Sequence, residues 1–390
     1  MGRFDFRLLF PGAGGISVFR TGCGLVAALT MWAAQPTGST AQSARQPVYS
    51  LDGLPELGLP VDCAGTDICS VQNYLDFAPG PEARDHNCGP LTYDGHRGID
   101  IRLKTLKDMN QGVAVLAAAA GTVIASRNDV PDKFLSEAET RQTLSRRPVV
   151  PSNSVSIHHG KGWMTHYAHM RKGSVSVKPG QKVRQGEAIG LIGASGSTNF
   201  PHLHFSLQLH DRFIDPFSGL EPDSSHNKVL DSSYAPDGGC KSEFYHSFWN
   251  AEAARLLAYR TSGLLDAGFA PHPPSVLKIQ KGYYDTQPLS ATAKQLAFWV
   301  QIWGLRRNDR IRMRLFAANG ELLADITQQA NATEAINIRY LSIRRQTDSW
   351  PKGTYRGEYL LERSEKDGLS EDGGENFTRI LKVIRETDVR

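Results

Sequence analysis

The stretch Pro201-His202-Leu203-His204-Phe205-Ser206-Leu207-Gln208-Leu209 alternates polar and apolar residues without a break. A helix would spread such residues around its axis, whereas a strand sends successive side chains to opposite faces. The stretch is therefore read as a half-buried strand, with Leu203, Phe205, Leu207 and Leu209 against a core and His202, His204, Ser206 and Gln208 on the other face. His96-Arg97-Gly98-Ile99-Asp100-Ile101-Arg102-Leu103 has the same period. There Ile99, Ile101 and Leu103 share one face, and His96, Gly98 and Asp100 share the other. On a strand, His202 and His204 must look into the same space.

Short apolar runs separated by glycine turns continue this texture from Gly98 to Gln208, among them Val113–Leu116, Gly121–Ile124, Val155–Ile157 and Ala188–Ile192. Their spacing predicts an all-β domain. Residues 128–153 interrupt it with a polar, proline-marked segment and a possible short helix around Leu135–Leu144, the kind of long connection that serves as a functional loop. Residues 51–95 are rich in Gly, Pro and Asp and read as a loop-rich lead-in. Phe248, Trp249, Ala253, Leu256 and Leu257 recur at helical spacing and predict one helix over Phe244–Arg260. Pro271, Pro273 and Pro274 mark a linker. Beyond it Ile311, Met313 and Leu315 alternate with Arg310, Arg312 and Arg314, and Asn319-Gly320 is a hairpin signal. A small C-terminal β sandwich follows from that spacing. Its arginines read as a solvated strand face.

The expected organisation of the 390 residues is a signal peptide over 1–41, the lead-in over 42–92, a β domain over 93–220 that holds both alternating stretches, a connecting region with one helix over 221–274 and a C-terminal β-sandwich domain over 275–390. The signal is read from Arg3, Arg7 and Arg20 ahead of an apolar run, Cys23–Ala34, that ends near the small residues Ser39-Thr40-Ala41. That run is too short for a comfortable membrane span. Export to the periplasm or the extracellular envelope is the consequence, with no stable membrane span after cleavage. Cys63, Cys69, Cys88 and Cys240 then remain, an even number that suggests two disulfides. A local Cys63–Cys69 loop and a Cys88–Cys240 bond across the ends of the sheet expected over 93–220 form one pairing; Cys63 with Cys88 or Cys240 are its rivals. No CxxC pair suggests a cysteine zinc site. A net charge of +4 is too small to argue for nucleic acid.

Two histidines and one carboxylate are a normal ligand set for catalytic zinc, with water in the fourth position. His96, Asp100 and one of His202 and His204 supply it, and one histidine is left for proton chemistry. Trp163-Met164-Thr165-His166-Tyr167-Ala168-His169 brings further imidazoles near another strand. His159 reads as structural, and His158 and His166 as surface or groove-rim residues.

Taken in order, His96-x-Gly98-x-Asp100, Ala118-Ala119-Ala120-Gly121-Thr122-Val123, Tyr167-Ala168-His169, Val177–Val183, Gly186–Gly190 and Pro201-His202-Leu203-His204-Phe205 resemble the lysostaphin-type (LytM-like) zinc endopeptidases of bacterial cell walls. The resemblance runs from about Tyr93 to Phe217. It implies a mainly β fold, an antiparallel barrel or sandwich of the duplicated hybrid motif type with an open groove. It implies that His96, Asp100 and His204 bind one zinc ion, that His202 and His169 are the active-site histidines, and that the substrate is the cross-linking peptide of peptidoglycan. Ser206 stands where many members of that family carry Glu. A catalytically silent, peptidoglycan-binding or hydrolase-activating envelope protein of the same fold is the competing reading; such proteins usually lack a metal ligand.

Overall fold

The computed structural model describes residues 56–66, 68–78, 81–134, 151–222, 247–284, 288–369 and 375–390. The expected signal peptide, the possible helix near Leu135–Leu144 and Cys240 lie outside them.

In the first half the strands are β1 (Cys69–Asn73), β2 (Ile99–Leu103), β3 (Ala114–Leu116), β4 (Gly121–Arg127), β5 (Asn153–Gly160), β6 (Trp163–Met170), β7 (Lys182–Val183), β8 (Ala188–Leu191), β9 (His202–Leu209) and β10 (Arg212–Ile214). Eight of them form one antiparallel sheet, in the order β1-β2-β9-β6-β5-β4-β7 with β10 on β9, while β3 and β8 pair separately. The alternation read from the sequence sets the sheet's two faces. Ile99, Ile101, Leu103, Leu203, Phe205 and Leu207 are all fully buried in one apolar cluster with Tyr167 and Trp163. The polar residues of β2 and β9 meet on the other face, where the register puts Asp100 opposite His204 and Arg102 opposite His202. On the far side of β9, Ala168 faces His204 and His166 faces Ser206.

Two expectations need correction. The helix expected over Phe244–Arg260 is α2, only Ala251–Leu256; a first short helix, α1 (Leu106–Gln111), follows β2. Leu57 is the reason. Its backbone donates to Phe248 O at 2.7 Å and accepts from Asn250 N at 2.8 Å, which draws the segment before α2 out straight. Asn250 then caps α2 through its side chain, accepting from Ala253 N at 2.8 Å. Phe248 and Trp249 still pack into the core, but from an extended segment. The second correction concerns where the C-terminal sheets begin. β11 (Gly263–Ala270) lies ahead of the prolines taken as a linker, yet it pairs with β12 (Gln295–Leu305). A side chain at Gly263 would come within 2.7 Å of the Trp303 ring, so this strand can lie under that indole only as glycine.

After α3 (Val276–Gln280) come β13 (Arg310–Phe316), β14 (Leu322–Gln329), β15 (Glu334–Arg344), β16 (Gly353–Leu369) and β17 (Glu375–Val389). Two antiparallel sheets result, β11-β12-β15 and β14-β13-β16-β17. Phe298 and Leu341 of the first share a core with Ile311, Leu315, Tyr359 and Val383 of the second, which makes the C-terminal region a sandwich. Asn319-Gly320 turns β13 into β14, with Gly320 at φ 84°. The arginines of β13 are paired across the sheet: Arg310 with Glu362 at 2.8 Å, Arg312 with Asp325, and Arg314 with Glu358. They form a solvated ladder of ion pairs.

Phe298 is fully buried, and its ring lies where a Cβ on Gly357 of the opposite sheet would be, 2.4 Å from it. Truncating it leaves a cavity that backbone on both sides cannot fill. Phe298→Ala is expected to cost about 3–5 kcal/mol, read as a lower denaturant midpoint at unchanged slope. A loss under about 1 kcal/mol would mean that the two sheets do not pack as described.

Candidate metal centre

His96, Asp100 and His204 offer ligand atoms that all lie within 4.8 Å of one another. His96 Nε2 is 3.2 Å from Asp100 Oδ1 and 3.2 Å from His204 Nδ1, and His204 Nδ1 is 2.9 Å from Asp100 Oδ1. Three ligands about 2.0–2.1 Å from a tetrahedral ion sit about 3.3–3.4 Å apart. The donor triangle is of that size, so the residues fit a small divalent ion.

Each donor is oriented by a second group. His96 donates Nδ1–H to Tyr74 O at 2.7 Å, which leaves Nε2 for the triangle. His204 pairs through Nε2 with Ser206 Oγ at 3.1 Å, which holds the ring with Nδ1 toward the triangle. Ser206, the departure noted above, thus keeps a hydrogen bond to its neighbour on the strand. Asp100 accepts from Asn73 Nδ2 at 3.0 Å through its other oxygen. Such outer partners fix ring orientation and tautomer. Asn73 and Tyr74 escaped the sequence reading, because a five-residue edge strand inside a Gly- and Pro-rich stretch leaves no alternation to find. The loop that delivers His96 is pinned by buried Asp76, whose Oδ2 accepts from Gly95 N at 2.9 Å and whose own N–H reaches His96 O at 3.0 Å.

His202 and His169 stand beside the triangle. His202 Nε2 is 3.6 Å from Asp100 Oδ1, and its Nδ1–H points to Phe200 O at 3.0 Å. His169 reaches the group by an irregularity. Strand parity puts it on the same side as Thr165 and Tyr167, which are in the core. Between Asn153 and Val155 of β5, however, the pairing with β6 shifts register, and His169 takes φ 59°. A bulge of this kind re-aims a side chain. The His169 ring ends 4.6 Å from that of His202, with Nδ1–H donated to Ser195 O at 2.7 Å. Tyr167, next to it in the motif, is structural: its hydroxyl accepts from Ala118 N at 2.7 Å inside the core.

Burial, then the nearby His202 and His204, push the His169 imidazole down to about 3. Burial also lowers His202. Both rings are therefore neutral near pH 7. For Asp100, burial works against the charge, but the neighbouring His96, His202 and His204 outweigh it and hold the carboxyl well below its usual range. The centre offers one carboxylate and four imidazoles, of which His96, His169 and His202 each give Nδ1–H to a backbone carbonyl. His166 lies one step along the same face, bonded to Ser156 Oγ at 2.9 Å. His159 instead bridges Ala120 O and Thr165 Oγ1, both at 2.8 Å, which is a structural tie.

The disulfide Cys63–Cys69 forms the expected local loop ahead of β1. Cys88 is also disulfide-bonded, and Cys240, its expected partner, is outside the described residues.

A donor triangle of two histidines and a carboxylate on an antiparallel sheet, with two neutral histidines beside it, is the kind of side-chain set that hydrolytic metal sites use. Residues 94–216, the stretch that builds it, match the model of Peptidase family M23. That stretch, about a third of the chain, is therefore similar to the M23 peptidases. Similar curated proteins include the cell division protein DipM of Caulobacter vibrioides, 33% identical over 125 residues, 32% of this chain and 16% of that protein. Another is the peptidoglycan DD-endopeptidase ShyA of Vibrio cholerae, 38% identical over 82 residues, 21% of this chain and 19% of that protein. The chain thus spans less than a fifth of the length of either. Among solved structures, the catalytic domain of the antimicrobial peptidase lysostaphin from Staphylococcus simulans aligns at 19% identity with a TM-score of 0.24, over 37% of this chain and 85% of that one.

Proposed function

We propose that the protein is an exported zinc-dependent endopeptidase that hydrolyses peptide bonds in peptidoglycan cross-links. The observation that carries this reading is the donor triangle of His96, Asp100 and His204, each member held by its own hydrogen-bond partner. His96, Asp100 and His204 would hold one zinc ion. Bound there, zinc supplies Lewis-acid chemistry that makes a water nucleophilic near neutral pH. His169 and His202 supply the proton chemistry. Each spends Nδ1–H on a backbone carbonyl, so each presents an unprotonated Nε2. A neutral imidazole can take a proton from the attacking water and pass it to the leaving amine nitrogen. The complete donor set favours this reading over a silent, peptidoglycan-binding relative. Among the described residues no helix is long and apolar enough to cross a membrane. The peptidoglycan-acting name of ShyA supports the substrate class.

The test is digestion of purified peptidoglycan by the zinc-loaded protein, with released fragments identified by mass spectrometry. New amino termini in the cross-link peptide are expected, lost on chelation and restored by zinc. Intact peptidoglycan after digestion by a protein that binds one zinc would favour the silent reading. The hydrogen bond from Asn73 to Asp100 gives a finer test. Asn73→Ala is expected to weaken zinc binding by about 10–100-fold, measured by competition with a chelating dye. An unchanged affinity would show that Asp100 needs no such support.

A further inference from the structure

We propose that Arg102 is a positioning residue for His202, acting through Phe200; its kinetic test rests on the peptidase reading, its spectroscopic test does not. Arg102 of β2 lies directly across from His202 of β9, one step along the same face from Asp100. It is only 3% exposed. A cation this deeply buried is ordinarily paired with a carboxylate. Among the described residues Arg102 has none. Its Nη1 donates to Gln72 Oε1 at 2.8 Å, and its Nε is buried without a partner. What the guanidinium does have is a ring, with Cζ 4.5 Å from the centre of Phe200.

Phe200 leads straight to His202. The two rings are 4.6 Å apart at an interplanar angle of 39°. The Phe200 carbonyl is also the acceptor for His202 Nδ1–H at 3.0 Å. Thr198 closes this turn: its hydroxyl donates to Phe200 O at 2.7 Å and accepts from Phe200 N at 3.3 Å. Gln72, Arg102, Phe200 and His202 therefore form one continuous chain of contacts that ends on a ring beside the metal-ligand triangle.

The residue type suits the task. A planar cation lying on an aromatic face is attracted by the ring quadrupole, and the bond to Gln72 stops it from turning in its own plane. An aliphatic side chain could fill the same space but would hold neither the tilt nor the rotation of Phe200. The orphan Nε fits this account, because the stack rather than full hydrogen bonding fixes where the guanidinium lies. If Phe200 loosens, His202 loses the carbonyl at Nδ1 and keeps only the Thr198 hydroxyl at 3.1 Å, which can donate as well as accept. The tautomer protonated at Nε2 then becomes populated, and it has no lone pair on the side facing Asp100.

The experiment uses the full, zinc-loaded chain with Arg102→Met and Arg102→Lys, each alone and combined with His202→Ala. Bound zinc, kcat and KM on a synthetic cross-linked stem peptide, and the imidazole 15N spectrum of His202 are measured. Arg102→Met is expected to keep its zinc and its KM while kcat falls about tenfold or more, as for a small misplacement of a reacting group. Its His202 spectrum should shift from a single Nδ1–H form to a mixture, and Arg102→Lys should recover part of both losses. Combined with His202→Ala, neither substitution should lower kcat further, because residues acting through one group are not additive. Additive losses, loss of zinc in Arg102→Met, or an unchanged His202 tautomer would each overturn the proposal. Should Arg102→Met not fold, Phe200→Leu removes the transmitting ring and is read in the same way. A wild-type protein that cleaves nothing would sink the peptidase reading, while the His202 spectra would still decide the role of Arg102.

Discussion

His204→Ala is expected to lose bound zinc and turnover together, whereas His202→Ala and His169→Ala keep the zinc and lose roughly 10²–10⁴-fold in turnover. The division follows from where the three rings are anchored. His204 Nδ1 is a corner of the triangle, 2.9 Å from Asp100 Oδ1 and 3.2 Å from His96 Nε2. Taking it away leaves two donors, too few for a closed site. His202 and His169 stand outside the group of three whose ligand atoms all approach within 4.8 Å. Each hangs from a backbone carbonyl of the segment between β8 and β9, Phe200 O and Ser195 O. Their loss removes a base but no corner. Metal content after gel filtration, measured by mass spectrometry beside the rate of peptidoglycan digestion, separates the two classes. Equal zinc loss in all three variants would mean that the ligand assignment is wrong.

The parts of this arrangement that the sequence reveals are those with a period. Strict alternation in β9 and β2 gives the strands, their buried faces and the polar face shared by His202, His204 and Asp100. The parts that the sequence hides are set by other elements. Phe248 and Trp249 have helical spacing, but two backbone bonds from Leu57 hold them extended. A tertiary ladder outweighs a local propensity there. His169 has the parity of a core residue, and only a bulge against β5, invisible in β6 alone, turns it to the site. Asn73, Tyr74 and Phe200 act through contacts made from edges and loops. Their neighbours in sequence carry no trace of a partner that lies 27 residues away, as Asp100 does from Asn73.

Gly98→Ala is expected to empty the centre of metal although it removes no donor. A Cβ at Gly98 would lie 2.5 Å from Phe205 O and 2.7 Å from both Cε1 and Nε2 of His204. The carbonyl cannot retreat, because Phe205 is paired with Ile99 in the β2–β9 ladder and its side chain is fully buried. The imidazole must move instead. Turning it breaks the bond from Nε2 to Ser206 and carries Nδ1 out of the triangle. The glycine between His96 and Asp100 is therefore needed for space rather than for backbone freedom. Gly95 makes the contrast. It has φ 74°, with nothing within 4 Å of where a Cβ would stand. Gly95→Ala should cost about 1–2 kcal/mol of backbone strain and still bind zinc. Thermal melts together with metal content distinguish the two: Gly98→Ala should lose zinc at a temperature where the fold persists, and Gly95→Ala should melt earlier with its zinc in place. If Gly98→Ala binds zinc as the parent does, the His204 ring is not held against β2 as described, and the triangle is looser than its distances imply.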